Sequence, residues 1–236
     1  MEEEWIVLTV ELIASTKPTK AFRDRTDCKD GEELISYCAR VSNPTNQSNF
    51  DTADKLLRYC VRKKHWSIFE MADAVFEINC TRDIGRQILR HRSFCYQEFS
   101  QRYAEPNPED FVIRECRFQD TKNRQSSIEV DPGNPEQVET ARLWANYQRS
   151  TLKIAMRVYN WAIENGIAKE QARVVLPEGM TPSVMYMKGS VRSWFHYCSL
   201  RMDMGTQKEH RLIATDIWNE LIEEFTFLKD INVEAV

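Results

Sequence analysis

Residues 72–90 read Ala72-Asp73-Ala74-Val75-Phe76-Glu77-Ile78-Asn79-Cys80-Thr81-Arg82-Asp83-Ile84-Gly85-Arg86-Gln87-Ile88-Leu89-Arg90, and a change of period inside this stretch decides the fold class. Up to Cys80, Ala74, Phe76, Ile78 and Cys80 alternate with Val75, Glu77 and Asn79, which predicts a strand with one buried face. From Thr81 to Arg90 the period becomes helical. Arg82, Arg86 and Arg90 recur at every fourth position while Ile84 and Ile88 point elsewhere. That guanidinium ladder is either a solvated basic face or the approach to an anion site.

The next residues, Arg90-His91-Arg92-Ser93-Phe94-Cys95-Tyr96-Gln97-Glu98-Phe99-Ser100-Gln101-Arg102, concentrate cationic, titratable and hydroxyl side chains. Guanidinium forks match phosphate oxygens, and imidazole and hydroxyl groups add short directional contacts. The stretch therefore reads as an anion and cofactor site.

On the N-terminal side, Trp5 to Ile13 reads as a strand, the Lys/Pro/Thr/Asp-rich stretch up to Gly31 as an exposed loop, and Glu32 to Val41 as a helix. A second helix starts near Asn49 or Asp51, carries Ala53, Leu56, Leu57, Cys60 and Val61, and holds Lys63, Lys64 and His65 in its last turn. His65 reads equally as a proton carrier or as a helix-terminal residue. On the C-terminal side, Phe111 to Phe118 predicts a strand and Asp120 to Gly133 a mobile surface loop.

Asn134-Pro135-Glu136-Gln137 offers an N-cap with proline at the first helical position, opening a long helix that Gly166 can end. Its stripe of Val138, Ala141, Trp144, Tyr147, Thr151, Ala155, Val158 and Ala162, widened by Leu152, Tyr159 and Trp161, is broad enough for core on more than one side or for a subunit contact. A short helix near Gln171 to Leu176, a short strand near Val184 to Met187 and a helix from Ser190 to Arg201 follow. The last helix opens on the capping box Thr206-Gln207-Lys208-Glu209 and runs on Leu212, Ile213, Ile217, Leu221 and Phe225. Strands and helices mix without a steady βαβ rhythm, which predicts α+β.

The chain has 236 residues, enough for one domain or a tight pair, and a formal charge of -4 that disfavours a general nucleic-acid binder. Seven cysteines without a C-x-x-C pair predict reduced thiols and no metal site. The acidic start Met1-Glu2-Glu3-Glu4-Trp5 and the lack of a long apolar run predict a soluble, cytoplasmic protein that does not enter the membrane. With seven glycines and no G-x-x-x-x-G-K-[ST] or G-x-G-x-x-G, phosphates would have to rest on arginines. Arg173, Arg192 and Arg201 lie among apolar residues, where each needs an internal partner or a ligand. From the residues alone, an enzyme with an anionic cofactor or nucleotide, a non-catalytic nucleotide or nucleic-acid binder stacking bases on Tyr96 and Phe99, and an enzyme with a Cys95 or Ser100 nucleophile all remain open.

Arg90-His91-Arg92, seven residues and then Ser100 resembles the R-H-R-(seven residues)-S signature of the flavin-dependent thymidylate synthases, and Gln101-Arg102-Tyr103 continues it. Ala39-Arg40-Val41-Ser42, His65 to Glu70, Arg86-Gln87, Ala172 to Pro177, Val191-Arg192-Ser193 and Leu200-Arg201 resemble further landmarks of the family, in its order, over about residues 35–225. The resemblance implies one domain over 1–236, with helices around an antiparallel sheet, and a homotetramer with active sites shared between subunits.

It further implies synthesis of dTMP from dUMP, with methylenetetrahydrofolate as carbon donor, NADPH as reductant and FAD as redox carrier. Carried over to this sequence, Ser42, Ser67, Glu70, Arg90, His91, Arg92, Glu98, Ser190, Val191, Arg192 and His196 would contact FAD. Gln87, Arg90, Glu98, Ser100, Gln101, Arg102, Arg173 and Arg201 would hold dUMP. Arg201 would be catalytic, its charge favouring the N3-ionised pyrimidine; its plainer reading is a helix-terminal cation. The family's chemistry needs no covalent nucleophile, so Ser100 is expected to bind and Cys95 to fill core beside Phe94 and Tyr96. Departures are His196 where Asn is common, Met71 where His is common and Gly205 where some relatives have His.

Overall fold

The computed structural model describes residues 8–231 and 233. In chain order the elements are β1 (Thr9–Ser15), α1 (Lys20–Thr26), α2 (Gly31–Ala39), α3 (Ala53–Arg62), β2 (Asp73–Thr81), α4 (Arg82–Ile88), β3 (Cys95–Glu98), β4 (Arg117–Gln119), β5 (Ser127–Glu129), α5 (Pro135–Glu164), α6 (Lys169–Ala172), β6 (Pro182–Ser190), α7 (Val191–Arg201) and α8 (Lys208–Glu224). Four strands form an antiparallel sheet in the order β1-β2-β6-β3, and β4 and β5 form a separate hairpin. The fold is α+β, as expected.

The alternation in β2 works as read: Ala74, Phe76, Ile78 and Cys80 are buried. Its partner β6 runs nine residues, longer than the expected strand, because it is paired along both edges, with β2 from Asp73↔Ser190 to Thr81↔Pro182 and with β3 from Cys95↔Lys188 to Glu98↔Met185. Each of these two central strands turns directly into a helix: β2 into α4 at Thr81, and β6 into α7 at Ser190, whose hydroxyl accepts from the Ser193 N–H at 3.2 Å. Because the strands are antiparallel, α4 and α7 leave from opposite ends of the ladder.

One sheet face meets α7 and α8 in the main core of Phe76, Ile78, Met185, Met187, Trp194, Tyr197, Ile213, Ile217 and Leu221. Trp194 is fully buried and its indole N–H donates to the Ala74 carbonyl at 3.1 Å, so the largest apolar group also satisfies its one polar atom. Gly189 lets Phe94 lie on the β6 backbone, since a Cβ there would come 2.4 Å from the ring.

Several local expectations change. The described residues leave out 1–7, so the strand read from Trp5 is seen from Thr9. The expected loop before Gly31 contains α1, capped by the Thr19 side chain accepting from the Phe22 N–H. His65 follows α3 rather than closing it, and is exposed. Of Phe111 to Phe118 only the end is strand. The Gln148 amide of α5 instead accepts from the Arg114 N–H at 2.9 Å and donates to the Arg114 carbonyl at 2.8 Å, replacing a neighbouring strand with one side chain. The expected loop at 120–133 contains β5. The capping box does not form: α8 starts at Lys208, and Glu209 points to Arg117 instead of back to the chain.

The Asn134 cap and the end of α5 are as read, with Gly166 at φ +76° just beyond it. Its buried face agrees with the stripe at Ala155, Tyr159 and Ala162 and departs from it elsewhere. Ala145, Gln148, Ala155, Tyr159 and Ala162 pack inward, while Val138, Trp144, Tyr147, Val158 and Trp161 are exposed. Small residues let the helix lie close to the body on one side, leaving the bulky stripe outward. Leu212 of the α8 stripe is exposed too. Cys95 is exposed rather than core, because the β3 pleat turns it outward and Tyr96 inward. No helix among the described residues is long and apolar enough to cross a membrane.

Candidate active site

Strand β2 delivers α4 beside β3, and Arg82, Arg86 and Glu98 converge there. Glu98 carboxylate oxygens lie 3.7 Å from Arg82 Nη1 and 3.8 Å from Arg86 Nη1, and the Ser183 hydroxyl donates to Glu98 at 3.0 Å. Arg82, Arg86, Gln101, Arg173, Glu178 and Thr181 line a cavity of 380 Å³. Gln101 is 3% exposed and Arg82 7%, yet among the described residues Gln101 Nε2 and Arg82 Nη1 have no hydrogen-bond partner. A buried donor left unpaired costs about 1–3 kcal/mol, so the Gln101 amide, beside an Arg82 held only by a long ion pair to Glu98, marks a place for an acceptor-rich ligand. At its rim Arg102 pairs with Glu170 at 3.1 Å, and Ser100 Oγ accepts from the Arg102 N–H at 3.4 Å.

Gln87, on the same helix, turns to α8. Its Nε2 donates to Gln207 Oε1 at 2.7 Å and its Oε1 lies 3.4 Å from His210 Nδ1. The turn after α4 is pinned by the Tyr96 hydroxyl, 2.7 Å from the His91 carbonyl and 3.0 Å from that of Ile88. This pinning aims His91 at the end of α7, where Arg201 Nε donates to His91 Nε2 at 2.8 Å. Such a bond requires a neutral imidazole. Burial first, and then the Arg201 charge, push the His91 pKa down to about 4. Arg201 does lie in the last turn of α7, but its Nε is committed to an imidazole 110 positions away in sequence.

A third group collects where α7 begins. Arg192 pairs with Glu70 at 3.0 Å, and the Trp66 ring lies 4.6 Å from His196 and 4.9 Å from Phe195. Burial first, and then the Arg192 charge, lower the His196 pKa. Ser67 and His196 are exposed, whereas Ser190 and Val191 are buried and the Val191 N–H donates to the Ala72 carbonyl at 2.9 Å. Arg90 and Arg92 are exposed, and neither guanidinium has an ion-pair partner among the described residues. Ser42 is exposed after α2 and makes no side-chain hydrogen bond to the other expected residues.

The model of the thymidylate synthase complementing protein family matches residues 24–225. A probable flavin-dependent thymidylate synthase of Paramecium bursaria Chlorella virus 1 is 46% identical over 222 residues, covering 92% of this chain and 95% of that protein. The flavin-dependent thymidylate synthase of Synechocystis sp. is 47% identical over 208 residues, covering 88% and 91%. This chain belongs to the flavin-dependent thymidylate synthase family. A UMP/dUMP methylase of Streptomyces cacaoi, solved with 5-Br dUMP, shares the fold at a TM-score of 0.75 and 22% identity, covering 97% of each chain.

Among the described residues of this flavin-dependent thymidylate synthase family member, seven of the eight expected nucleotide residues fall into two groups, and the eighth, Arg90, is exposed. Glu98, Ser100, Gln101, Arg102 and Arg173 gather at or beside the cavity. Gln87 and Arg201 lie with His91 and His210 on the α8 side of α4, and no side-chain hydrogen bond or ion pair joins the two groups. From the sequence, Arg82 reads as part of a ladder, Arg86 as ladder and family landmark, and Gln207 and Glu209 as capping residues, none with a site role, while Ser183, Tyr197 and His210 are passed over. The misread capping box was the available signal for Glu209. A larger cleft of 910 Å³ opens between the β4–β5 hairpin, α5 and the start of α8. It holds none of the expected site residues, and Arg114, Arg117 and Lys208 in it are tied to acidic side chains.

Proposed function

We propose that this chain converts dUMP to dTMP, with methylenetetrahydrofolate as carbon donor and FAD reduced by NADPH. The observation that carries the nucleotide assignment is the 380 Å³ cavity, where Gln101 and Arg173 of the family pattern line the wall with Arg82 and Arg86, and the buried Gln101 Nε2 has no hydrogen-bond partner among the described residues. Phosphate, ribose and uracil are rich in acceptors. Three or four charged hydrogen bonds of about 1.5–3 kcal/mol each suffice for micromolar binding.

The residues present fit a flavin dinucleotide. Among the described residues Arg90 and Arg92 have no ion-pair partner, which suits a pyrophosphate, and Trp66 and His196, meeting edge-on beside Arg192 and Glu70, offer aromatic and polar contacts to the rim of a ring system. Ser42, Ser67, Ser190 and Val191 extend this group. Bound FAD would supply the hydride.

The protein's own contribution is orientation and charge. His91 stays neutral and takes only the Nε proton of Arg201, so the terminal nitrogens of the guanidinium remain for the uracil carbonyl. A fixed cation there lowers the energy of the N3-ionised ring without moving during the reaction. Neither Cys95 nor Ser100 is needed as a nucleophile.

Shared sites in a homotetramer account for two features of one chain: the nucleotide residues divided by α4, and the exposed apolar stripe on α5. One domain serves the whole sequence, and reduced cysteines suit the cytoplasm; all seven are free. The test is a spectrum and an assay. Purified protein should carry a flavin band that NADPH bleaches and should form dTMP only with methylenetetrahydrofolate present. A colourless protein that stays inactive after FAD is added would refute the proposal.

A further inference from the structure

Four contacts run in line from α7 through α4 to the start of α8. Tyr197 Oη lies 3.0 Å from His210 Nε2, His210 Nδ1 3.4 Å from Gln87 Oε1, Gln87 Nε2 2.7 Å from Gln207 Oε1, and Gln207 Nε2 2.9 Å from Glu209 Oε2. His210 is 0% exposed and Glu209 3%. Amide and imidazole protons are ambiguous from heavy-atom positions alone. Here the chemistry at one end decides them all.

Burial opposes the charge of Glu209, but the Arg117 hydrogen bond and the charges of Arg114 and Arg117 outweigh it and hold its pKa below the usual carboxylate range. An ionised carboxylate only accepts. Gln207 must therefore turn its NH2 toward Glu209 and its carbonyl toward Gln87. Gln87 must donate to that carbonyl, which turns its own carbonyl toward His210. His210 must then carry its proton on Nδ1. Its bare Nε2 accepts from Tyr197, whose phenol is kept protonated by burial.

We propose that His210, oriented by Tyr197, is a positioning residue for the nucleotide site. Its Nδ1–H anchors the Gln87 carbonyl, so that Gln87 presents its second N–H and its free lone pair to the nucleoside monophosphate in one orientation. The 3.4 Å link is the longest of the four, and substrate engaging Gln87 would tighten it. This inference rests on the reading that Gln87 touches dUMP. Without the imidazole donor, the Gln87 amide is held only by Gln207 and swings about its last torsion.

The test uses FAD-loaded full-length enzyme. His210→Leu fills the space without a donor, while His210→Asn returns an N–H close to the Nδ1 position. His210→Leu should weaken dUMP binding and raise the dUMP KM about ten-fold, as loss of one hydrogen bond to a polar group does, with kcat at saturating dUMP and flavin content little changed. His210→Asn should restore most of the affinity. If both variants bind dUMP like the wild type while Gln87→Ala does not, the positioning role is overturned and the Gln87 assignment stands. If Gln87→Ala itself leaves dUMP affinity unchanged, the assignment fails and the inference with it. Equal losses in the Leu and Asn variants would reveal a purely structural role and overturn the proposal. Should His210→Leu not fold, Tyr197→Phe takes its place: it removes the hydrogen bond that orients the imidazole and should weaken dUMP roughly three-fold, and unchanged affinity would overturn the inference.

Discussion

Lowering the pH from about 7.5 to about 5 should destabilise the protein chiefly through two histidines. Burial, and then the charges of Arg201 and His91, depress the His210 pKa from 6.5 to about 3, while that of His91 falls to about 4. In the unfolded chain both titrate near 6.5. A depressed folded-state pKa gives stability that is full above the unfolded value and is lost as pH falls toward the folded one. Between 6.5 and 5 the unfolded state gains one proton per histidine that the folded state refuses. At about 1.4 kcal/mol per pH unit this removes about 2 kcal/mol through His210. His91 is only half-buried, so solvent screening reduces its share to about 1 kcal/mol. Asp83 and Glu209, whose carboxyls are held low by arginines, act mainly in a more acid window. Urea unfolding at fixed protein concentration across this range measures the loss, and His210→Leu should abolish about 2 kcal/mol of it whatever its effect at pH 7.5. Identical losses in wild type and variant would show that His210 is not a buried neutral imidazole.

Three further outcomes are expected. Arg201→Lys should retain dUMP binding but lose turnover by about a hundred-fold or more, because an ammonium lacks the fork that serves His91 and substrate together; surviving turnover in a dTMP assay would remove its catalytic role. Gly189→Ala should cost about 1–3 kcal/mol in chemical unfolding, since its methyl would meet Phe94 at 2.4 Å, and an unchanged midpoint would contradict that packing. If the proposed tetramer uses the exposed stripe of α5, Trp161→Asp should shift light scattering toward smaller species; an unaltered mass would take the stripe out of assembly.

What could be read in advance depended on how far each signal reached along the chain. The β2 alternation and the Asn134 and Gly166 ends of α5 are local, and they came through. Helix α1 was hidden because its seven residues offer little beyond Phe22, which meets Tyr37 edge-on at 5.1 Å. The segment before β4 looked like strand, but its backbone is held at Val112 by the Met180 carbonyl and at Arg114 by the side chain of Gln148, partners that no local window contains. Thr206 to Glu209 satisfied the capping pattern, yet two arginines from a distant segment claimed the glutamate. The site divides in the same way. The Arg90-His91-Arg92 signature pointed to the region, whereas the His91–Arg201 bond and the His210 contacts arise only when α4, α7 and α8 meet. Within a sequence window, His210 is one more polar residue near a helix start.

The nine-pair ladder between β2 and β6 acts as a ruler for the chemistry. Gln87 rides on the helix that leaves one end of it, and Arg192 and Arg201 on the helix that leaves the other. Slipping this register by one residue would translate one helix against the other by about 3.4 Å and turn every β6 side chain to the opposite face. Neighbouring groups would be spoiled in a single step, with no intermediate misalignment available. Drift in the surface loops leaves this spacing untouched, so sequence change can accumulate there while the distance between the reacting groups stays the same.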